Sequence, residues 1–207
     1  FDNIGSPIII CNEDHRFIVG HQMKDINVEP LCILLEPEGR NTAPAITIAA
    51  QTALEIFKDK KIDPVLLILS SDHQIRDIDY FQLAIKNSIN LAVNDNLIIF
   101  GVPPTYPSTG YGYIKSETQL DHSSYSGSKV DHFIEKPNEK IAKSFIKDNK
   151  YSWNSGMFVF KATTILSEIK SFAPSVLENC EKCLKKSVKD LDFLRLDKKS
   201  FINCDDV

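Results

Sequence analysis

Apolar residues gather along the chain in short unbroken runs, and the stretches between them carry apolar positions at helical spacing. PIIIC (7–11), LCILL (31–35), VLLILS (65–70) and LIIFGV (97–102) are four such runs. The continuity of VLLILS is that of a strand covered on both faces. Asn12 opens a stretch that reads as a helix through Met23. Thr42 is placed to cap a second helix, with Ile46, Ala49, Ala50, Ala53, Ile56 and Phe57 on one face. Asp77 is placed to cap a third, whose inward face is Phe81, Ala84, Ile85, Ser88 and Ala92. Strands alternating with helices at this spacing predict an α/β fold with parallel strands and right-handed crossovers.

After residue 103 the rhythm changes. TGYGYIKS, KVDHFIEKP and SGMFVFK read as β-runs separated by turns, with one helix at 139–147 that Asn138 caps. The polar segment DHSSYSGS (121–128) reads as a loop tip. Ile165, Leu166 and Ile169, and then the segment 174–188, return to helical spacing. The chain shows no internal repeat and no low-complexity tract.

Composition narrows the classes. The chain of 207 residues allows one large domain, or one domain and an appendage. Its 24 basic residues are dispersed in a chain of net charge −4, which leaves no cationic footprint for nucleic acid. No apolar stretch approaches the ~18 residues of a membrane span, and no signal peptide opens the chain. Five cysteines without framework spacing fit a reducing cytoplasm. Cys180 and Cys183 have C-x-x-C spacing, yet with Val176, Leu177 and Leu184 they complete an apolar helical stripe, so two small buried hydrophobes are expected. No second ligand pair lies near them for a metal.

The chemistry concentrates where the predicted strands end, the edge at which open α/β sheets bind ligands. EPEGRNTAPA (36–45), SDHQIRD (71–77) and PPTYPSTGYGY (103–113) follow the second, third and fourth runs. A plain strand-to-helix turn needs one or two capping groups. The first of these loops carries Glu36, Glu38, Arg40, Asn41 and Thr42, donors and a hydroxyl at a helix start, where anions and bases bind well. The alternative is a hydrogen-bonded turn with Thr42 as its cap. Asp72 is a strand-end carboxylate suited to a hard divalent cation such as Mg²⁺, or else a helix cap. His73 orients the loop in this reading rather than binding metal. In FIEKP, Glu135 and Lys136 would point to opposite faces if still in strand geometry, so a turn must reorient one of them.

EPEGRNTAPA, LSSDHQIRD, FGVPPTYPSTGYGYI, FIEKP and YSWNSGMFVF, in that order, closely resemble the motifs of the bacterial mannose-1-phosphate guanylyltransferases. Those enzymes are GDP-mannose pyrophosphorylases, often fused to a mannose-6-phosphate isomerase domain. The resemblance covers about residues 5–203, and five ordered motifs make it specific. It implies a Rossmann-like, three-layer nucleotidyltransferase fold with a mixed, mostly parallel central sheet. It divides the chain into a nucleotide-binding half (about 1–103) and a sugar-binding half (about 104–207) of an incomplete domain. It implies that Arg40, Asn41 and Thr42 meet the guanine and ribose of GTP, and that Asp72 holds Mg²⁺. It sets Gly110, Tyr111 and Gly112 beside the sugar, where absent side chains let backbone donors approach. Glu135 and Asn154 then hold mannose hydroxyls and Lys136 meets the sugar phosphate. Asp72 and Lys136 are the expected catalytic pair.

The implied reaction converts GTP and mannose 1-phosphate to GDP-mannose and diphosphate in the cytoplasm, feeding surface polysaccharide synthesis, with a homodimer as the expected assembly. The family's Gly-rich loop and second metal-binding aspartate find no counterpart in this sequence; Asp205 and Asp206 precede the segment expected to carry that aspartate. The chain, which opens at Phe1 and stops at CDDV, is therefore expected to be part of a longer polypeptide, with a C-terminal isomerase domain left open. Two rivals stand beside this reading: a sugar nucleotidyltransferase of other base or sugar specificity, and a catalytically silent regulatory subunit.

Overall fold

The computed structural model describes residues 4–121 and 127–205. Most of the loop tip expected at 121–128 lies outside the described residues. The strands are β1 (Ile8–Asn12), β2 (Cys32–Glu36), β3 (Val65–Ile68), β4 (Ile98–Val102), β5 (Tyr113–Ser116), β6 (Val130–Ile134), β7 (Tyr151–Lys161), β8 (Val188–Asp190) and β9 (Phe193–Arg195). The helices are α1 (Arg16–Asp25), α2 (Thr42–Phe57), α3 (Ile78–Ala92), α4 (Glu139–Phe145), α5 (Ala162–Phe172), α6 (Pro174–Lys185) and α7 (Lys198–Ile202). The chain packs as two compact units, Phe1–Pro64 with Ala162–Val207, and Val65–Lys161. That division is one of packing; the division near residue 103 expected from the sequence is one of ligands, which packing does not decide.

In the first unit the sheet order is β1-β2-β9-β8, with β1, β2 and β9 parallel and β8 antiparallel. Side chains alternate across it. Leu34 joins Ile48 of α2, Val176, Cys180 and Cys183 of α6, and Leu196, Phe201 and Cys204 in one buried cluster. Phe193 faces the other way and meets Phe17 of α1 edge-on at 6.4 Å. α2 packs against α5 and α6, and its small residues permit the approach. It buries Thr47 and Ile48 as well as Ile46, Ala50 and Ala53, while the expected inward residue Ile56 is exposed. Pro44 sits in its first turn, where its missing N–H breaks no helical bond.

The second unit is built on β7. Phe158 and Val159 of β7 each pair with both β3 and β4, so these two strands lie on opposite edges of it. β5 takes the remaining part of the edge that β3 uses, and β6 pairs with β5. The α/β class and the mixed sheet hold, and in this unit the expected parallel strands share a direction without pairing directly. β3 and β4 run in the same direction, and β7 is inserted between them, antiparallel to both. Every direct pairing in this unit is antiparallel, because the strands that fill its sheet arrive after residue 103. The expected inward face of α3 holds for Ile85, Ser88 and Ala92, which are buried. Beneath β5 and β7, α4 contributes Ala142 and Phe145 to a cluster with Tyr113, and Phe145 stacks on Tyr151 at 4.0 Å.

The capping expectations fare unevenly. Asn138 caps α4 through Ile141 N–H at 3.0 Å. Asn12 caps a single 3-10 turn, Glu13–His15, and α1 follows it to Asp25. Asp77 holds the cap position of α3 without a side-chain cap bond. Thr42 is not a cap: it is the first helical residue of α2, and Asn41 precedes it at φ 53°, ψ −160°. The hairpin β8–β9 and helix α7 had no sequence expectation. Arg195 braces that hairpin through Asp190 at 2.8 Å and also pairs with Glu13, and Asp197 caps α7 through Ser200 N–H at 3.0 Å. Among the described residues no helix is long and apolar enough to cross a membrane.

Candidate functional site

In the second unit the strand registers bring three of the expected sugar-site residues into one row. Tyr113 is paired with Ile134 on one side and with Trp153 on the other. The next step along each strand sets Gly112 between Glu135 and Asn154. Asn154 N–H donates to the Gly112 carbonyl at 2.8 Å, and a Cβ at Gly112 would lie 2.7 Å from Glu135 Oε2 and 3.7 Å from Asn154 Cβ. On its other side Asn154 pairs with Gly101. A glycine on each flank keeps the row open around the Asn154 amide. The amide oxygen accepts Gly156 N–H at 2.9 Å, which leaves the NH₂ as a donor. Gly156 has φ 68°, a conformation glycine adopts without strain, and the β4–β7 register shifts opposite this stretch.

Glu135 and Lys136 leave the row by a turn. β6 ends at Ile134, and Lys136 has φ 42°, so the chain reorients at this residue, as adjacent Glu and Lys required. Their charged ends lie 3.5 Å apart, both largely exposed. Gly110 donates its N–H to Ser108 Oγ at 3.3 Å. Tyr111 and Tyr106 close on Trp153, with ring centroids 5.2 and 4.9 Å from it. A hydrogen bond with Tyr106 pushes the Tyr111 phenol up. The Trp153 indole N–H is buried without a hydrogen-bond partner. Neither Trp153 nor Tyr106 was among the expected site residues, although both lie in motifs, YSWNSGMFVF and FGVPPTYPSTGYGYI, that the sequence singled out.

Asp72 lies in the loop after β3, its side chain 84% exposed, with His73 Nε2 3.9 Å away. Among the described residues no group of three or more His, Cys, Asp or Glu is gathered to hold a metal ion. A single exposed carboxylate fits a small hard cation of the kind that takes most of its ligands from substrate phosphates and water. It does not fit a metal caged by protein.

In the first unit the loop after β2 holds its charges tightly. Arg40 pairs with Glu38 at 2.6 Å, and its Nε is buried without a partner. Glu36, the last residue of β2, has a buried oxygen without a partner, and burial pushes its carboxyl from 4.5 up to about 7. Asn41 and Thr42 are exposed. Asn41 combines positive φ with extended ψ, a region that is nearly glycine's alone. Glu36 was noticed in the sequence as part of a surplus of polar groups, but nothing in the letters distinguishes a half-buried glutamate with one unpartnered oxygen from a solvated one.

The chain thus combines an α/β fold, polar loops at its strand ends and a Gly–Asn–Gly–Glu row. The nucleotidyl transferase family matches residues 1–199, and the chain belongs to that family. Its members generally work with a divalent metal ion. A mannose-1-phosphate guanylyltransferase of Escherichia coli is 44% identical over 203 residues, covering 98% of this chain and 43% of that protein. The alginate biosynthesis protein AlgA of Pseudomonas syringae pv. tomato is 42% identical over 207 residues, covering 100% of this chain and 42% of that protein. The chain thus spans less than half the length of these curated relatives. A crystal structure of mannose-6-phosphate isomerase from Helicobacter pylori superposes with a TM-score of 0.81 at 34% identity, covering 97% of this chain and 75% of that one.

Proposed function

We propose that this chain supplies nucleotide- and sugar-binding parts of a mannose-1-phosphate guanylyltransferase, which joins GTP and mannose 1-phosphate into GDP-mannose and releases diphosphate. The observation that carries the reading is the Gly112–Glu135–Asn154 row, present in a chain 42–44% identical to proteins named for that activity. Each sugar hydroxyl can both donate and accept. The Glu135 carboxylate accepts from them, the Asn154 NH₂ donates to them, and the glycines leave room for the ring. Lys136, turned out of the strand, meets the sugar phosphate. Arg40, Asn41, Thr42 and the start of α2 take the guanine nucleotide.

An oxygen of the sugar phosphate attacks the α-phosphorus of GTP in line. That phosphate is already a competent nucleophile, so these residues orient the two substrates and offset charge, and none acts as a general base. Asp72 would hold Mg²⁺, which when bound supplies positive charge at the phosphates. The reading includes a cytoplasmic setting and surface polysaccharide synthesis as the use of the product. The test is diphosphate release by the full-length protein, with four nucleoside triphosphates crossed against mannose and glucose 1-phosphates. Turnover confined to GTP and mannose 1-phosphate is expected. Equal use of another base or sugar would select the related transferase, and no turnover with any pair would select the silent subunit.

A further inference from the structure

Two thiols face each other in the core of the first unit. Cys180, on the inner side of α6, has its Sγ 3.9 Å from that of Cys204, and both residues are buried. Cys183 turns away and directs its thiol to the Asp197 carbonyl at 3.5 Å. The partner of Cys180 is therefore not its neighbour in C-x-x-C but a residue beyond α7. The same Cys180 Sγ lies 3.7 Å from the carbonyl of Pro44, in the first turn of α2, two residues after Thr42.

Buried cysteines are ordinarily inert, because burial disfavours the thiolate. This pair differs in kind. The hydrogen bond from Cys180 holds the Cys204 thiol below its usual range; burial opposes this, the Arg40 guanidinium assists it, and Asp205 opposes it. Cys180, as the donor, is pushed up by that bond and then by burial. The 3.9 Å approach holds two thiols within reach of one another, and of the two Cys204 is the one favoured as thiolate, with Cys180 beside it. Local opening of the five-residue α7, which precedes Cys204, is the opening that would admit a molecule as small as hydrogen peroxide.

We infer that Cys180 and Cys204 are a modification site, closing to a reversible disulfide in the presence of a hydroperoxide and bearing on the turn that starts α2. The Cys204 thiolate attacks one peroxide oxygen, the O–O bond breaks, and hydroxide leaves as a sulfenic acid forms. The Cys180 sulfur then attacks the sulfenic sulfur, and its OH leaves as water with the Cys180 proton. Two thiols and one hydrogen peroxide give one disulfide and two waters, the sulfurs losing the two electrons that peroxide gains. The sulfurs close from 3.9 Å to about 2.05 Å. Closure withdraws the Cys180 sulfur from the Pro44 carbonyl, 3.7 Å away in the open pair, and Arg40 loses its facing thiolate. Both losses flank Asn41.

The experiment treats the full-length protein with hydrogen peroxide, alkylates the remaining thiols and maps peptides by mass. A Cys180–Cys204 cross-link is expected, 2 Da lighter than the two thiol peptides and reversed by dithiothreitol. Cys180→Ser should leave Cys204 as a sulfenic acid captured by dimedone, whereas Cys204→Ser should leave Cys180 unmodified. Slower or faster amide exchange at Thr42–Ala45 in the oxidised wild type is the expected sign of coupling to α2. Oxidation of Cys11 or Cys32 ahead of this pair, or a Cys180–Cys183 link, overturns the site, and the wild-type map decides this even if a variant folds poorly. A cross-link that leaves exchange at Thr42–Ala45 unchanged overturns the coupling.

Discussion

Replacing Glu36 by Gln should stabilise the first unit at neutral and alkaline pH and leave it unchanged in acid. The carboxyl ends β2 with a buried oxygen that has no hydrogen-bond partner, and burial raises it from 4.5 to about 7 in the folded protein. Between those two values the native state keeps a proton that the unfolded chain has already released, so stability falls as pH rises. The penalty is absent below about pH 4.5, grows through pH 7 and is constant above it. At ~1.36 kcal/mol for each factor of ten in the acid constant, its ceiling is about 3 kcal/mol. Gln keeps the shape and the unmet polar group but has no proton to lose, so only the pH-dependent part should disappear.

The measurement compares the urea unfolding free energy of the wild type and Glu36→Gln at half-unit steps from pH 4.5 to 8.5. The chain's single tryptophan is Trp153, in the other compact unit, so its fluorescence is the wrong probe. Exchange protection of the β2 amides, Cys32–Glu36, reports on the correct one. The two proteins should coincide near pH 4.5, and the variant should lead by about 2–3 kcal/mol at pH 8. A difference that is the same at every pH would refute the reasoning, since it would mean that Glu36 ionises in the folded protein as it does unfolded. A variant that falls behind only at high pH would show that the carboxylate has a partner cation.

Asp72→Asn should cost most of the turnover of the full-length enzyme with Mg²⁺ while thermal stability barely moves, because the side chain is exposed and meets only His73, at 3.9 Å; kcat/KM together with the melting temperature decides it. Gly112→Ala should fold normally, since its Cβ would crowd the movable end of Glu135 and meet Asn154 Cβ at an ordinary 3.7 Å, yet it should raise KM for mannose 1-phosphate. Gly101→Ala, whose Cβ would fall 2.5 Å from Ser152 Cβ, should instead lose about 1–3 kcal/mol of stability. Lys136→Ala should weaken mannose 1-phosphate chiefly at low salt, and Glu135→Gln should relax the preference for mannose over glucose 1-phosphate, by roughly ten- to a hundredfold in kcat/KM. Identical behaviour of those two variants at both ionic strengths would dismiss the division of labour.

Several of these groups could be read in the letters because their signal is local. Asn138 before Glu139 caps a helix whatever lies around it, and Val176, Cys180, Cys183 and Leu184 declare a buried face by spacing alone. The reorientation at Lys136 followed from strand geometry, and a positive φ is the price of making it in one residue. Long-range pairing leaves no such trace. The insertion of β7 between β3 and β4, and the contact of Cys180 with Cys204 rather than Cys183, depend on chain segments that return from far along the sequence. The same holds for burial of charge. Glu36 and Glu38 are two letters apart, but the first, ending β2, has a buried oxygen without a partner and the second answers Arg40 at 2.6 Å. Asn41 links the two kinds of information. Its letter suggests a cap, but the backbone that carries Arg40 to Glu38 and Thr42 into the helix forces Asn41 into a conformation costing about 1–3 kcal/mol. The fold bears that strain at one of the residues assigned here to the nucleotide. Asn41→Gly should therefore stabilise the first unit against urea while weakening GTP, and a variant that improved neither or both would break that connection.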